Sequence, residues 1–210
     1  MNVNKINYQR ETDRIIEEIR QTGKTPRLLL HACCAPCASY VLEYLTKYFE
    51  ITVLYFNPNI SPEGEYNHRV DEIKRLISEM PKANGIDFLG GRYCPTEFYD
   101  KVKGLENVEE GGERCFLCYR MRMEEAARIA RDGEYDFFTT TLTVGPLKNA
   151  GKLNEIGAAL AEEYGVRYLF SDFKKNNGYK RSVELSKEYG LYRQNFCGCI
   201  YSKMQRENKD

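Results

Sequence analysis

The chain has 210 residues, enough to bury a sizeable core without disulfide or metal staples. Its 31 basic and 31 acidic side chains cancel, so the field of the whole molecule argues for no nucleic-acid partner and any such case must be local. The opening MNVNKINYQRETDR is polar, and no apolar run has the length of a secretory core or a membrane span; a soluble, cytoplasmic protein with no membrane contact is expected.

In chain order, an amphipathic opening helix carries Ile15, Ile16 and Ile19 on one side, and RLLLHA, Arg27 to Ala32, reads as a short buried strand. A helix over Ser39 to Phe49 follows, then a strand over Ile51 to Phe56. NPNISPEGE stops that strand, and its Ser61 and Pro62 suit the start of a helix over Glu65 to Met80. Further strands are predicted at Ile86 to Leu89, Tyr135 to Thr140 and Val166 to Phe170, with helical patterns between them, one running from Cys115 to Arg131. This alternation predicts a doubly wound, mostly parallel five-stranded sheet with helices on both faces. The expected architecture is a Rossmann-like α/β domain over residues 1–210, of the kind seen in PP-loop nucleotide hydrolases. Residues 92–112 are the least regular and read as an inserted segment covering the site. Sixteen tyrosines and ten phenylalanines, without tryptophan, are first of all core material.

In a reducing compartment, eight cysteines point to metal or redox chemistry rather than crosslinks. Seven fall into three tight groups: Cys33, Cys34 and Cys37 in HACCAPC, Cys115 and Cys118 in GERCFLC, and Cys197 and Cys199 in FCGC. The first group follows the first strand, where ligands of parallel sheets gather, and enters a helix whose N-terminus favours thiolates. Cys115 and Cys118 are three apart on a helix and share a face. Cys197 and Cys199 flank a glycine, a spacing that in extended chain puts both sulfurs on one side. Four thiolates suffice for zinc or for a 4Fe-4S cluster, and the remaining three can hold a second metal. A structural zinc with spare buried thiols is the bland counterpart. Cys94, in no group, reads as an ordinary thiol.

These blocks, HACCAPC, NPNISPEGEYNHR, GERCFLCYRMRMEEAA, TTTLTVGPLKN and LYRQNFCGCIYS, resemble the signature blocks of the QueH-type epoxyqueuosine reductases, in the same order and from His31 to Ser202. The resemblance implies reductive deoxygenation of epoxyqueuosine to queuosine at the wobble position of tRNA. It implies a 4Fe-4S cluster and an adjacent iron ion, without cobalamin. A ferredoxin or flavodoxin is the expected reductant. Cys33, Cys34, Cys115 and Cys118 are assigned to the cluster and Cys37, Cys197 and Cys199 to the second iron, with Cys33 and Cys37 open to exchange.

Around these ligands, Asp172, Tyr66 and Arg193 are the candidate catalytic side chains, Asp172 as an iron ligand or proton relay and otherwise as a turn cap. Arg69, Thr141, Lys148, Arg120 and Gln194 are the candidate substrate contacts. Tyr66 and Arg69 otherwise form an exposed helical face, and the threonines from Thr139 to Thr143 otherwise pack a strand. Arg120, Arg122, Arg193, Lys174, Lys175, Lys180 and Arg181 can form a basic apron for an anticodon loop, against the ordinary reading of solvated charges. Tyr179, Tyr192 and Tyr201 offer rings for a base, and His31 either supplies a proton or packs the end of its strand. Two other readings are an iron-sulfur-dependent, ATP-using tRNA thiolation ligase and a zinc-binding RNA-docking module. The first needs a glycine-rich phosphate loop after the first strand, where HACCAPC has none.

Overall fold

The structure is a computed structural model describing residues 6–207; the first five residues of the polar opening and residues 208–210 lie outside it. Five strands, β1 (Arg27–His31), β2 (Glu50–Tyr55), β3 (Ile86–Gly90), β4 (Phe137–Thr140) and β5 (Arg167–Tyr168), form an all-parallel sheet in the order β3-β2-β1-β4-β5. β1 is central: Leu30 pairs with Val53 on one side and with Thr139 on the other. Both faces are covered, so β1 is apolar at every interior position. Leu28 and Leu30 enter one core and Leu29 the other, as the two-residue period of a strand requires.

One core is built by α1 (Tyr8–Thr22), α2 (Ala35–Leu45) and α3 (Glu63–Glu79), with α7 (Gly178–Glu188) packed on α2. The opposite core is built by α5 (Glu113–Asp132) and α6 (Ala150–Tyr164). Local signals set these helices. Asn7 and Asn149 cap α1 and α6 by accepting from the amides of Arg10 and Lys152, and Gly23 and Gly165 end them in the left-handed conformation.

Two boundaries differ from the sequence reading in ways that matter for the site. The second helix begins at Ala35 rather than Ser39, because Cys34 takes the extended N-cap position and Pro36 presets the first turn. Cys37 therefore lies within a helix. β5 spans two residues where five were expected. Beyond it the backbone is held by side chains instead of a ladder: the Thr12 hydroxyl donates to the Phe170 carbonyl (2.7 Å), and Asn154 bonds both the N–H and the C=O of Ser171 (2.9 and 2.8 Å).

Residues 92–112 contain a short helix, α4 (Pro95–Lys101), then turns. Phe98 and Val102 from this stretch are buried against Cys118 and Cys199. The last helix, α8 (Ile200–Glu207), leaves directly from the final cysteine pair. No helix among the described residues is long and apolar enough to cross a membrane.

Candidate metal centre

The chain turns to opposite sides after β1, toward β2, and after β4, toward β5, which opens a crevice at the carboxyl ends of these neighbouring strands. HACCAPC leaves β1 there, and the threonine run leaves β4. The two loops are stitched together. His31 is fully buried, with Nε2 donating to the Phe56 carbonyl (3.1 Å), so that Nδ1 accepts from the Thr140 hydroxyl (2.9 Å). Burial lowers its pKa to about 4, so the imidazole is held neutral at the packed end of β1. Thr141 accepts from the Cys33 amide (3.4 Å) and lies 3.8 Å from its sulfur.

The sulfurs of Cys33, Cys34 and Cys37 lie within 4.8 Å of one another, with Cys33 and Cys34 3.8 Å apart. Tetrahedral thiolate bonds of about 2.3 Å put sulfurs about 3.8 Å apart, so this triad has the spacing of ligands to one ion. Cys115, Cys118, Cys197 and Cys199 together line a small cavity of about 20 Å³. Cys197 also walls a second cavity with Cys34 and Cys37. The division drawn from sequence joined Cys33 and Cys34 to Cys115 and Cys118, and Cys37 to Cys197 and Cys199. Cys34 is the N-cap of α2 and Cys37 lies on its first turn. All eight cysteines are free, and Cys94 stands apart at the N-cap of α4.

In each group one sulfur is the preferred thiolate. Hydrogen bonding from Cys34 and Cys37, helped by Arg122, holds Cys33 well below the usual thiol range, while Cys34 is pushed up to about 12. Hydrogen bonding from Cys199, helped by Lys148, does the same for Cys197. Burial raises Cys118.

The final pair is not in extended chain as expected, because Gly198 has φ of 100°. Its carbonyl accepts from the Ser61 amide (3.0 Å), and the Cys197 carbonyl accepts from Arg69 (3.4 Å). Arg69 is buried, paired with Glu65 at 2.7 Å, and lies over the Phe196 ring. A Cβ at position 198 would sit 2.7 Å from Ile60 Cγ1 and 3.2 Å from Arg69 Nη1. Gly198→Ala is therefore expected to cost about 2–4 kcal/mol, from backbone strain and overpacking together, with a matching loss in chemical denaturation.

A larger cavity of about 300 Å³ opens beside the thiols and is walled by Cys34, Cys37, Cys197, Lys148, Arg193 and Gln194. Lys148 pairs with Glu110 at 3.0 Å; burial opposes its charge, but Cys197, Tyr119 and Glu110 outweigh burial and raise its pKa. Gln194 Oε1 is buried without a protein partner among the described residues. Arg193 donates to Ser186 (3.1 Å), and Tyr179 stands exposed on the same cavity.

Other candidates sit elsewhere. Tyr66 is buried between Tyr55 and Tyr93, and its hydroxyl donates to the carbonyls of Tyr55 and Gly91 (3.4 and 3.2 Å). Asp172 lies 3.7 Å from Lys174 and its carbonyl closes a turn on Lys175; it walls neither cavity. Arg120 is outside, paired with Glu163 at 2.8 Å. Arg120→Ala should change stability by less than about 0.5 kcal/mol, as for other exposed pairs, and leave turnover unaltered in a steady-state assay. The basic apron is partly neutralised: Arg181 pairs with Glu43, and Lys174 is bound to the Lys148 carbonyl. Tyr192 bonds the Glu65 carboxylate, and Tyr201 packs with Phe98 and Tyr99.

Sequence reasoning missed Glu110, Arg206 and Phe196, which wall the larger cavity, and Arg114, which walls the smaller one. For Arg114 and Phe196 the available signal was adjacency to a cysteine. Glu110 and Arg206 are brought together by tertiary packing alone.

Residues 28–205 match the family Epoxyqueuosine reductase QueH. The chain is similar to proteins named "Epoxyqueuosine reductase QueH" from three bacteria. It is 43% identical to that of Streptococcus pyogenes serotype M1, over 98% of this chain and 82% of the relative. With that of Staphylococcus epidermidis the identity is 40%, over 96% and 87%. With that of Thermotoga maritima it is 35%, over 87% and 93%.

Proposed function

The chain belongs to the QueH family of epoxyqueuosine reductases, and on that premise we propose that it deoxygenates epoxyqueuosine in the wobble position of tRNA, leaving queuosine. The observation that carries this reading is the convergence of three distant cysteine segments at the β1/β4 crevice, beside a cavity large enough for a modified base.

Removing the epoxide oxygen as water and leaving an alkene consumes two electrons and two protons. The donor set fits thiophilic, redox-active iron: seven free thiols, three at single-ion spacing and four around an enclosed space. Cys33, Cys34, Cys115 and Cys118 would hold a 4Fe-4S cluster and Cys37, Cys197 and Cys199 an additional iron; Cys37 and Cys197 wall one cavity. When bound, these metals supply single electrons and Lewis acidity.

The chain itself binds and orients. Tyr179 offers a ring on which the base stacks at the cavity mouth, and Gln194 Oε1 accepts from a donor on the modified base. Lys148 holds a proton at Nζ next to the thiols and, with Arg193 and Arg206, gives the cavity a positive wall for a phosphate of the anticodon loop. A ferredoxin or flavodoxin in the cytoplasm returns the electrons.

The test is anaerobic incubation of reduced, iron-loaded protein with epoxyqueuosine-containing tRNA. The nucleoside is expected to lose the mass of one oxygen. Persistence of the epoxide under strong reductant, with the metal complement full, contradicts the proposal.

A further inference from the structure

The cavity beside the thiols, of about 300 Å³, has a neighbour of about 660 Å³ that lies between the turn before α5 and helix α8. Leu147, Glu110 and Arg206 wall both, and so form the ridge between them. Leu147 is the most exposed large apolar side chain among the described residues, at 63%. A lone exposed leucine is ordinary on a protein surface, but this one crests a ridge between two cavities.

The backbone that presents it is held on both sides. The Lys148 amide donates to the Gly145 carbonyl (3.1 Å), with the fixed φ of Pro146 inside the turn. The Lys148 carbonyl accepts from Lys174 Nζ (2.9 Å), its ammonium is paired with Glu110 at 3.0 Å, and Asn149 caps α6 immediately afterwards. Leu147 thus projects from a fixed loop with most of its surface open.

The second cavity is also built in advance. Gln205 on α8 accepts from the Glu110 amide (3.1 Å) and donates to the Val108 carbonyl (3.0 Å), and Ser202 donates to the Glu110 carboxylate (2.8 Å). Its wall carries Asn107, Glu109 and Glu110. Carboxylates repel a phosphate and accept from the N–H groups of a base edge, so a nucleobase is the part of an RNA strand that suits this cavity. Arg206, on the ridge and 3.8 Å from Glu110, is placed for the phosphate that joins two nucleotides lying on either side.

We propose that Leu147 is a wedge that parts the target base from an adjacent base of the anticodon loop, the target entering the first cavity and its neighbour the second. The proposal deepens the tRNA reading given above and rests on it. Bases of a single-stranded loop are read when they are splayed from their stack, and apolar side chains such as leucine fill the gap between parted bases. Tyr179 at the mouth of the first cavity then receives the face of a base already separated from its neighbour.

The test uses reduced, iron-loaded protein without air and an anticodon stem-loop carrying epoxyqueuosine. 2-Aminopurine, whose fluorescence rises on unstacking, is placed immediately 5′ of the epoxyqueuosine in one probe and immediately 3′ of it in another. Wild type should raise the fluorescence of one of the two probes on binding. At saturation Leu147→Ala should give a smaller rise and about 10-fold lower kcat/KM, the cost of losing one interface anchor. It should melt with wild type, because the side chain removed is exposed. Leu147→Met, still apolar and of similar volume, should keep both readouts. A full fluorescence rise in Leu147→Ala, whatever its turnover, would overturn the proposal. So would a Leu147→Met as impaired as Leu147→Ala, or wild type that deoxygenates the stem-loop without unstacking either probe. Wild type that leaves the epoxide intact with its metal complement full contradicts the tRNA reading itself, before any variant is compared.

Discussion

Cys118→Ala, purified without air, is expected to lose its iron–sulfide absorbance and to turn over epoxyqueuosine-tRNA more than about 100-fold more slowly than the parent. Changes to groups that only support a metal ligand already cost about 10–100-fold, and Cys118 is assigned as a ligand itself. Its position supports the assignment. Cys118 is on the buried face of α5, one helical turn beyond Cys115, and it borders the same cavity as Cys197 and Cys199. Cys37→Ala should behave differently. Cys37 is assigned to the additional iron, so this variant should keep most of the absorbance and still lose turnover. Bleaching of Cys37→Ala to the same degree as Cys118→Ala would show that the two thiol groups are not separate ligand sets.

The second large effect concerns stability. Stripping the metal is expected to lower stability by about 5 kcal/mol or more, since binding energy at a site built on folding is folding energy. For a chain of this size that is a fall of roughly 10–20 °C in melting temperature, read by circular dichroism. The reason is topological. The thiols tie the β1–α2 turn, the start of α5 and the Cys197–Cys199 loop, which are far apart in the chain. An unaltered melting temperature after complete chelation would mean that the metal is not part of the fold.

Much of this architecture was legible in the residues. The five strands were visible because a parallel sheet covered on both faces needs continuous apolar runs, and LLL and ITVLY are such runs. The three cysteine groups were visible as clusters, and their meeting place followed from where βα loops collect. The register of the helix after β1 was not. Pro36 was a usable N-terminal signal, yet the apolar pattern of Val41, Leu42 and Leu45 drew the helix toward its C-terminal part. Buried arginines were not legible either. The pairing of Arg69 with Glu65 is an ordinary four-residue helical spacing that reads equally well as surface, and its decisive partner, the Cys197 carbonyl, is 128 residues away. Tyr66 fell to the same ambiguity: in sequence it shares a helix face with Arg69, and in space that face is core.

The most direct measurement is the metal content of protein purified and reconstituted without air, with iron, acid-labile sulfide and zinc determined on one sample. The account predicts about five irons and four sulfides per chain, one iron more than a cubane alone holds, with little zinc. Zinc bound in place of iron, with no sulfide, would contradict it.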